Sequence, residues 1–462
     1  MSNKDNEQQG LQPLESRAAL SLAGIFSVRM LGLFMILPVF ALYAEELGGV
    51  TPVLVGVAIG AYGLTQALFQ IPFGMLSDRI GRKPVIIGGL LIFALGSVVA
   101  AQADTIWGVI FGRAIQGSGA IAAAIMALAA DLTREQVRMR VMAVIGMSIG
   151  FAFAISLILG PLLNTLVGVP GIFWITALLA LVGIAIVVLF VPDPKESHFH
   201  RDTEPVPGQF GRVLSDPDLL RLDVGIMLLH MILTALFIAV PLALRDQVGL
   251  PGGSHWMLYL PVVVLAMGLM VPFVVIAEKR RKMKPVFLAA IAGLILAQLG
   301  FWGMHDSLVG IGLSMLLFFT AFNLLEATLP SLIAKTAPAA SKGTAMGVYS
   351  TSQFSGAFLG GLLGGWVHSH YGLQGVFLFG AVAAAIWLLV ASGMSPTKYL
   401  NSHLLKVGAM NEAQAAELQA ELLALDGIED ATVAAEEGVA YLKIDAEVIE
   451  LSRLDAFCSI EG

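Results

Sequence analysis

The stretch GMLSDRIGRKP, residues 74–84, is an island of charge between two long apolar runs at about 51–76 and 84–103. Each run is long enough to cross a bilayer as a helix, for which about 20 residues are needed. The connection is so short that the two helices must lie side by side and antiparallel. Gly74 and Gly81 allow their backbones to approach closely. The stretch therefore predicts a tight helical hairpin in a membrane.

The positive charge of this stretch has two interpretations. Arg79, Arg82 and Lys83 fit a basic loop that obeys the positive-inside rule. That rule does not explain the glycines, nor Asp78, an anion at a helix end that is unfavourable unless a positive group faces it. The stretch resembles the G-x-L-x-D-R-x-G-R-[RK] signature of the major facilitator superfamily, with Met75–Leu76 at its apolar positions.

The composition of the chain is that of a polytopic α-helical membrane protein. Of 462 residues, 57% are hydrophobic and only 13% are charged, whereas about a quarter are charged in a typical soluble protein. The single cysteine, Cys458, excludes an internal disulfide and a cysteine-cluster metal site. The chain has no G-x-x-x-x-G-K-[ST] loop, and nothing in it suggests covalent catalysis. We therefore expect no cofactor, no metal and no enzymatic activity.

Twelve apolar runs follow one another along the chain, most of them with short connections. Alternate connections carry several basic residues, as at 79–83 and 279–284, whereas the opposite ones hold almost none apart from Arg245. We therefore expect both termini in the cytoplasm. The runs fall at about 18–42, 51–76, 84–103, 106–130, 138–166, 171–191, 219–244, 255–277, 285–304, 307–334, 343–367 and 373–394.

A polar, proline-rich segment divides the runs six and six. Residues 272–286 echo residues 72–85 with one insertion, which indicates a repeat. Two parallel six-helix halves with a site between them are typical of secondary transporters. We expect a cytoplasmic tail at 1–17, a first half at 18–191, a cytoplasmic linker at 192–218, a second half at 219–395 and a cytoplasmic domain at 396–462.

The expected domain at 396–462 differs in charge from the rest. It holds 13 acidic and 4 basic residues, a net charge of −9, so that the other residues carry +2 of the chain's total of −7. This charge argues against nucleic acid as a partner. We expect the domain to dock on a basic run of the same side, 279–284 or 134–140, or to respond to a cation.

The secondary structure of this domain follows from its sequence. Asn411 and Gln414 form a capping box before an apolar helical stripe. Strands are expected at 404–407, 428–434 and 439–444, with a second helix at about 446–457. This order is that of a small α+β ferredoxin-like domain. The expected fold class is therefore an all-α membrane protein of twelve transmembrane helices in two halves, followed by this domain.

Ionisable groups deep in apolar runs are rare and are functional candidates. Arg29 lies mid-span in the first run and His230 in the seventh; Glu326 lies in the tenth, with Asn323 one turn away on the same face. Leaving Arg29 in lipid would cost roughly 2.5–3.5 kcal/mol, so it must face a cavity or an acid. Either these groups serve function, or Arg29 and Glu326 pair to tie the halves together. Asp223 is near enough to the start of its run to reach water.

The superfamily resemblance extends to these groups. Its first, fourth, seventh and tenth helices line a central cavity, which would place there Arg29, Arg113, His230 and Glu326. Residues 113–117, RAIQG, resemble the R-x-x-Q-G motif of the proton-antiporter branch. Gly160-Pro161 resembles the G-P of the antiporter motif, but Leu162 and Asn164 replace its later glycines.

The same resemblance implies a conformational latch. Asp78 would face the start of the eleventh span, near 343–347, when the cytoplasmic side is closed. Arg82 would then bridge to Asp131, which ends the fourth span. These contacts would favour the outward-facing state. The latch residues are Gly74, Asp78, Arg79, Gly81, Arg82 and Asp131.

As a whole, the chain resembles the drug-antiporter-like branch of the superfamily that carries such a C-terminal domain in Gram-negative inner membranes. This implies a multi-pass protein that exports a small molecule by alternating access in exchange for protons. We expect that molecule, protons and the lipid bilayer as partners, and a monomer. Two alternatives stay open: a uniporter or importer in which Glu326 and His230 bind substrate, and a sensor that signals through its C-terminal domain.

Overall fold

The structure is a computed structural model. It describes residues 11–193, 207–338, 341–395, 401–408, 410–435 and 438–445, together with residues 448, 449, 454 and 457. The helix expected at 446–457 lies mostly outside the described residues, as do residues 194–206 of the expected linker and the first ten residues of the expected tail.

Seven helices form the first half, and local sequence signals set their ends. The hydroxyls of Thr51 and Thr105 cap two of them by accepting hydrogen bonds from backbone N–H groups three residues on. Gly81, with a φ of 97° that favours glycine, separates two others. The helices are α1 (Pro13–Phe34), α2 (Leu37–Tyr43), α3 (Pro52–Ile80), α4 (Arg82–Ala101), α5 (Ile106–Ser118), α6 (Ala122–Asp131) and α7 (Glu135–Leu189).

The second half is helical as well. Asp216 caps its long first helix by accepting from the N–H groups of Asp218 and Leu219, and Ser307 caps another. The helices are α8 (Phe210–Ser215), α9 (Pro217–Asp246), α10 (Trp256–Lys279), α11 (Met283–Met304), α12 (Leu308–Thr336) and α13 (Lys342–Ser392).

Two of these helices are interrupted by a glycine. Gly168 in α7 and Gly372 in α13 each have a φ of 67°, outside the helical range. Among the described residues, ten helical segments are long and apolar enough to cross a membrane. Two of the ten are the interrupted ones, 50 and 51 residues long.

The two halves meet through glycines at one end of the bundle. A Cβ on Gly56 of α3 would collide with the carbonyl oxygen of Gly361 in α13, and a Cβ on Gly361 would collide with that of Gly56. The Arg245 guanidinium pairs with the Glu45 carboxylate at this end, which we call the Arg245 end. The opposite end, where α3 meets α4, is called the Asp78 end.

A small three-stranded sheet follows the helices. Its strands β1 (Asn401–Lys406), β2 (Ile428–Ala434) and β3 (Val439–Ile444) are antiparallel in the order β1-β3-β2, and α14 (Glu412–Leu423) packs against β2. The expected second and third strands and the capping box of Asn411 and Gln414 are confirmed. The first strand is wrong in its bounds, since it begins at Asn401 and not at 404.

The sheet lies against the end of α12. Lys443 of β3, only 2% exposed, donates to the backbone carbonyls of Ala334 and Lys335 in the last turn of that helix. Helix C-termini favour cations, because their last carbonyls have no helical partners. Arg281, in the basic run 279–284, lies 3.9 Å from Asp445 across the same contact. The C-terminal unit is therefore docked on the second half.

Candidate functional site

A polar cluster in the second half joins α9, α12 and α13. Glu326 Oε1 lies 3.5 Å from His230 Nε2, and Gln353 Nε2 lies 2.9 Å from the same nitrogen. His230 Nδ1 is 3.3 Å from the Ile226 carbonyl. In the tautomer whose Nδ1–H donates to this carbonyl, Nε2 is an acceptor and takes the Gln353 amide hydrogen.

This geometry leaves the carboxylate of Glu326 short of a donor. Its Oε1 is buried and has no hydrogen-bond partner. With His230 neutral and Nε2 accepting, the carboxylate faces a lone pair, which is repulsive. One proton placed on either group turns that contact into a hydrogen bond or an ion pair. The contact of this pair therefore depends on whether one of its two groups carries an added proton.

Asn323 lies one turn before Glu326, as the sequence predicts. Its side chain is half-buried and makes no hydrogen bond with the described residues. The ring of Phe322 lies 6.0 Å from that of His230 and covers the imidazole on one side. The amide of Asn323 thus keeps its hydrogen-bonding capacity beside the His–Glu pair.

The first half holds Arg29 fully buried. Its Nη2 donates to Gln66 Oε1 at 2.8 Å and to the Gly119 carbonyl at 2.9 Å. The guanidinium lies 5.9 Å from the ring centre of Tyr62 and 5.6 Å from that of Phe93. Its Nε and Nη1 have no hydrogen-bond partner. Among the described residues, no carboxylate pairs with this guanidinium. Its charge is stabilised by the faces of aromatic rings and by amide and carbonyl oxygens.

Arg113 lies beside it in a similar environment. Its Nη1 donates to Gln116 Oε1 at 3.0 Å, and the Gln116 amide donates to Ser97 Oγ at 2.7 Å. Its Nη2 lies 3.3 Å from the Ile59 carbonyl, and its guanidinium is 5.3 Å from the Tyr62 ring centre. The motif pair Arg113 and Gln116 is therefore one hydrogen-bonded unit, and both arginines share Tyr62.

The predicted pairing of Arg29 with Glu326 is wrong in this structure. Gln66 and the carbonyl of Gly119 take the guanidinium of Arg29, while Glu326 lies with His230. The reason is geometric, because α3 and α5 offer oxygens within the first half. The four predicted cavity residues thus form two groups, cations in the first half and a His–Glu pair in the second.

Aromatic rings connect the two halves. The ring of Phe153 in α7 lies 5.1 Å from Phe34 of its own half, and 6.5, 6.1 and 5.9 Å from Phe237, Phe319 and Phe322 of the other half. Edge-on and tilted ring pairs of this kind are favourable. An apolar aromatic layer therefore joins the halves close to the His–Glu pair.

The Asp78 end carries a separate charge cluster. Arg82 donates through Nη1 to Asp78 and to Ser77 Oγ, the latter at 2.9 Å, and its Nε lies 3.3 Å from Asp131 Oδ2. The side chains of Arg82 and Asp131 are 2% and 0% exposed. The predicted contact between Arg82 and Asp131 is thus present, and it forms while the halves are packed at the Arg245 end. The expectation that it requires a closed cytoplasmic side stays a prediction.

The other predicted latch contacts are not all present. Asp78 accepts from Arg82 and makes no hydrogen bond or ion pair with the start of α13 near 343–347. Gly74 leaves room for α6, since a Cβ there would lie 3.0 Å from that of Ala123. Arg79 is exposed and makes no ion pair with the described residues. The structure therefore brings together Asp78, Arg82 and Asp131 but not Arg79.

Three residues of the second half were missed from the sequence. Asp223, expected to reach water, is 5% exposed, and neither carboxylate oxygen has a hydrogen-bond partner. Tyr349 is 4% exposed with an unpartnered hydroxyl, and Gln353 holds His230. The available signal was a phenol and an amide four residues apart in an apolar helix, on one face.

Comparisons with known proteins agree with this architecture. The model of the Major Facilitator Superfamily matches residues 22–361. The inner membrane transport protein YajR of Escherichia coli (strain K12) is 50% identical over 95% of this chain and 96% of its own. The multidrug resistance protein MdtH of Klebsiella pneumoniae is 27% identical, over 73% of this chain and 83% of its own.

A solved structure supports the fold. It is the bacterial homolog of the human lysosomal transporter Spinster in an inward-facing and occupied conformation, with a TM-score of 0.69 at 15% identity. The match covers 84% of this chain and 98% of that one. The chain belongs to the major facilitator superfamily and is a multi-pass membrane transporter, not an enzyme.

Proposed function

We propose that this transporter exports a small molecule across the bacterial inner membrane in exchange for protons. The observation that carries the proposal is the contact of Glu326 Oε1 with His230 Nε2 at 3.5 Å, in which this buried oxygen has no hydrogen-bond partner among the described residues. Ionisable groups inside a membrane protein that lack a structural partner mark ion or proton pathways. Here the loading of one proton changes the contact from repulsive to attractive.

The proton and the substrate would act on the same group. The first half holds two buried guanidiniums, those of Arg29 and Arg113. An ionised Glu326 would be attracted to these charges, and protonation of Glu326 would remove that attraction. Because a ligand shifts an equilibrium only by its different affinity for the two states, this change can select which state is favoured. The printed name of MdtH, a multidrug resistance protein, also supports efflux.

The topology follows from the interrupted helices. Breaking α7 at Gly168 and α13 at Gly372 leaves pieces of 20 residues or more, each long enough to span a bilayer. This gives twelve crossings in two halves of six, at 18–191 and 219–395. With both termini cytoplasmic, the Asp78 end faces the cytoplasm and the Arg245 end the periplasm. The structure then corresponds to a state closed towards the periplasm.

The charge cluster at the Asp78 end would act as the latch. In the state closed towards the cytoplasm, Asp78 would also meet the positive N-terminus of α13, a contact worth roughly 0.3–2 kcal/mol. Arg82, held by the buried Asp131, keeps the carboxylate of Asp78 in place. Asp78 makes no such contact with α13 in the present state. Alternating access requires this, since the two ends of the protein would not be closed at the same time.

The C-terminal unit would be a ferredoxin-like domain that regulates transport. Its described strands and helix follow the βαββ order, and it is docked on α12 through Lys443 and near Arg281. The helix α12 also carries Glu326, so docking can bias a helix of the transport site. A domain that only aids folding or targeting would leave kinetics and salt response unchanged when residues 396–462 are removed.

Proteoliposomes containing the full chain test the exchange. A trapped pH dye would report proton movement while a panel of lipophilic cations and anions, ethidium among them, is added outside. We expect proton movement coupled to flux of at least one compound, and its loss in Glu326→Gln. The matched control is Glu278→Gln, an exposed glutamate at the end of α10 that pairs with Lys335. Flux without proton movement would favour the uniporter, and unchanged proton coupling in Glu326→Gln would refute the proposal.

A further inference from the structure

Asp223 is a buried carboxylate without a hydrogen-bond partner in the part of the chain that the structure describes. It is 5% exposed, and both of its oxygens are buried without a hydrogen bond. Isolating an ionised carboxylate in this way is far costlier than protonating it. The side chain is therefore neutral for part of the cycle, or meets a donor in another state.

The helices α9 and α13 run in the same direction at this place. A Cβ on Gly356 would collide with the carbonyl of Met227, and a Cβ on Gly360 with that of Met231. The step of four residues along α13, from Gly356 to Gly360, thus matches the step of four residues along α9, from Met227 to Met231. The glycines bring the two backbones into direct contact, so that side chains beside the contact reach across it.

This register brings Tyr349 towards Asp223. Asp223 lies one turn before Met227, and Tyr349 lies two turns before Gly356, so both are on the Asp78 side of the backbone contact. The hydroxyl of Tyr349 is buried without a hydrogen bond, and Tyr349 lies one turn before Gln353, whose amide contacts His230 of the His–Glu pair. Tyr349 thus lies within one turn of the level of Asp223 and one turn from the residue that contacts the His–Glu pair.

A direct transfer between Asp223 and the His–Glu pair is too long. Asp223 and His230 are seven residues apart on one helix, about 10 Å along its axis. The other ionisable groups near the start of α9, Asp218 and Arg221, pair with each other at 2.7 Å. Neither pairs with Asp223. Tyr349 is the group placed to connect the two carboxylates.

We infer that Asp223 is a second proton-binding group and that Tyr349 passes protons between it and Glu326. The inference rests on the proposed function, because it supplies the cytoplasmic exit for the proton held at Glu326. The protonated Glu326 carboxyl gives its proton to the Tyr349 oxygen while the Tyr349 hydroxyl gives its own to the Asp223 carboxylate. The products are ionised Glu326, an unchanged phenol and protonated Asp223, which then loses its proton to the cytoplasm. The groups are not hydrogen-bonded to one another here, so a side-chain rotation or one water completes the path.

Proton release from the purified full-length protein in nanodiscs tests this inference without a known substrate. A stopped-flow pH jump with the dye pyranine counts the protons released and their rate. We expect Asp223→Asn and Glu326→Gln each to release one proton fewer than the parent chain. Tyr349→Phe keeps the count but slows release from Glu326 by about tenfold or more, as loss of a proton-transfer group does. Asp223→Glu restores count and rate.

The matched control is Tyr259→Phe, which removes another fully buried and unpartnered hydroxyl in the second half. It should leave count and rate unchanged. Loss of a proton in Glu326→Gln but not in Asp223→Asn overturns the relay and leaves the proposed function standing. An unchanged count in Glu326→Gln overturns the proposed function itself. Equal slowing in Tyr259→Phe and Tyr349→Phe shows a packing effect and overturns the role of Tyr349.

Discussion

Arg245 and Glu45 form a two-pronged ion pair across the halves. Nη1 of the guanidinium lies 2.5 Å from one carboxylate oxygen and Nη2 lies 2.9 Å from the other. The same guanidinium also binds Asp246, its neighbour in the chain. Arg245 was the one basic residue that broke the charge pattern of its side of the membrane. This contact between the halves explains why a basic residue stands at that position, since the residue lies where the two halves meet.

Breaking this pair should open the Arg245 end more often. We expect Glu45→Gln to shift the ensemble towards the outward-facing state, because the pair exists only when that end is closed. Distances between spin labels on the outer ends of α2 and α9 would lengthen. Asp246→Asn is the control, since Asp246 binds Arg245 within one half. Equal distances in Glu45→Gln and the parent chain would mean that packing alone closes this end.

The opposite shift is expected at the Asp78 end. Asp78→Asn and Arg82→Ala should favour the inward-facing state and reduce transport. Asp78→Asn removes the anion that would meet α13 when the cytoplasmic side closes, and Arg82→Ala removes the guanidinium that holds this anion in place. A bias of a few kcal/mol is enough to reverse a preferred state. Spin labels on the cytoplasmic ends of α3 and α13 would report it.

Lys83→Ala is the matched control for the latch. Lys83 is also basic but turns away to Asp193, an 87% exposed side chain, and to the Val191 carbonyl. It should change the distances little. Arg82→Lys should behave like Arg82→Ala, because one ammonium cannot reproduce a fork that reaches Asp78, Ser77 and Asp131. Unchanged distances in Asp78→Asn at neutral pH would reduce the stretch to a topology signal with a tight turn.

His230→Gln should shift the pH optimum of transport. The amide can keep the contacts to Gln353 and Ile226 but cannot take up the proton that the imidazole shares with Glu326. His255→Gln serves as the control, since His255 is fully buried at the Arg245 end and bonds to the Leu250 carbonyl. A pH profile that stays in place in His230→Gln would make this residue a packing or substrate contact.

Docking of the C-terminal unit should strengthen at alkaline pH. Burial lowers the pKa of Lys443 to about 8; the charge on Lys342 adds to this effect and Asp430 opposes it. An undocked lysine titrates near 10.4, so between these values the undocked form binds more protons. By linkage the docked form gains as pH rises above 8, by about 1.4 kcal/mol at pH 9.

Fluorescence transfer between labels on α14 and the start of α11 would follow docking from pH 7 to 10. The gain should vanish in Lys443→Met, which keeps the apolar stem but has no titrating amine. Lys406→Met, on an exposed position of β1, controls for the loss of a lysine from the same sheet. Docking that weakens above pH 8 in the parent chain would contradict this assignment of the Lys443 charge.

The sequence was most informative where one short segment contains the residues that determine its local structure. The residues of the 74–84 stretch predict the turn at Gly81, and its resemblance to the superfamily signature implies the contact of Arg82 with Asp131. It could not predict the partner of Arg29, since that depends on which backbone oxygen is left open where α5 ends at Gly119. Nor could it predict the burial of Asp223, which depends on how closely the Gly356 face of α13 approaches α9.

The contact between Gly56 and Gly361 has a mechanical consequence. Backbone meets backbone there, so no side chain can rotate to give a partly closed intermediate. The Arg245 end therefore has two positions, closed with the two backbones in contact or open with them apart, and the substrate meets one or the other. Any side chain larger than hydrogen at either glycine would force the two backbones apart and keep the Arg245 end partly open.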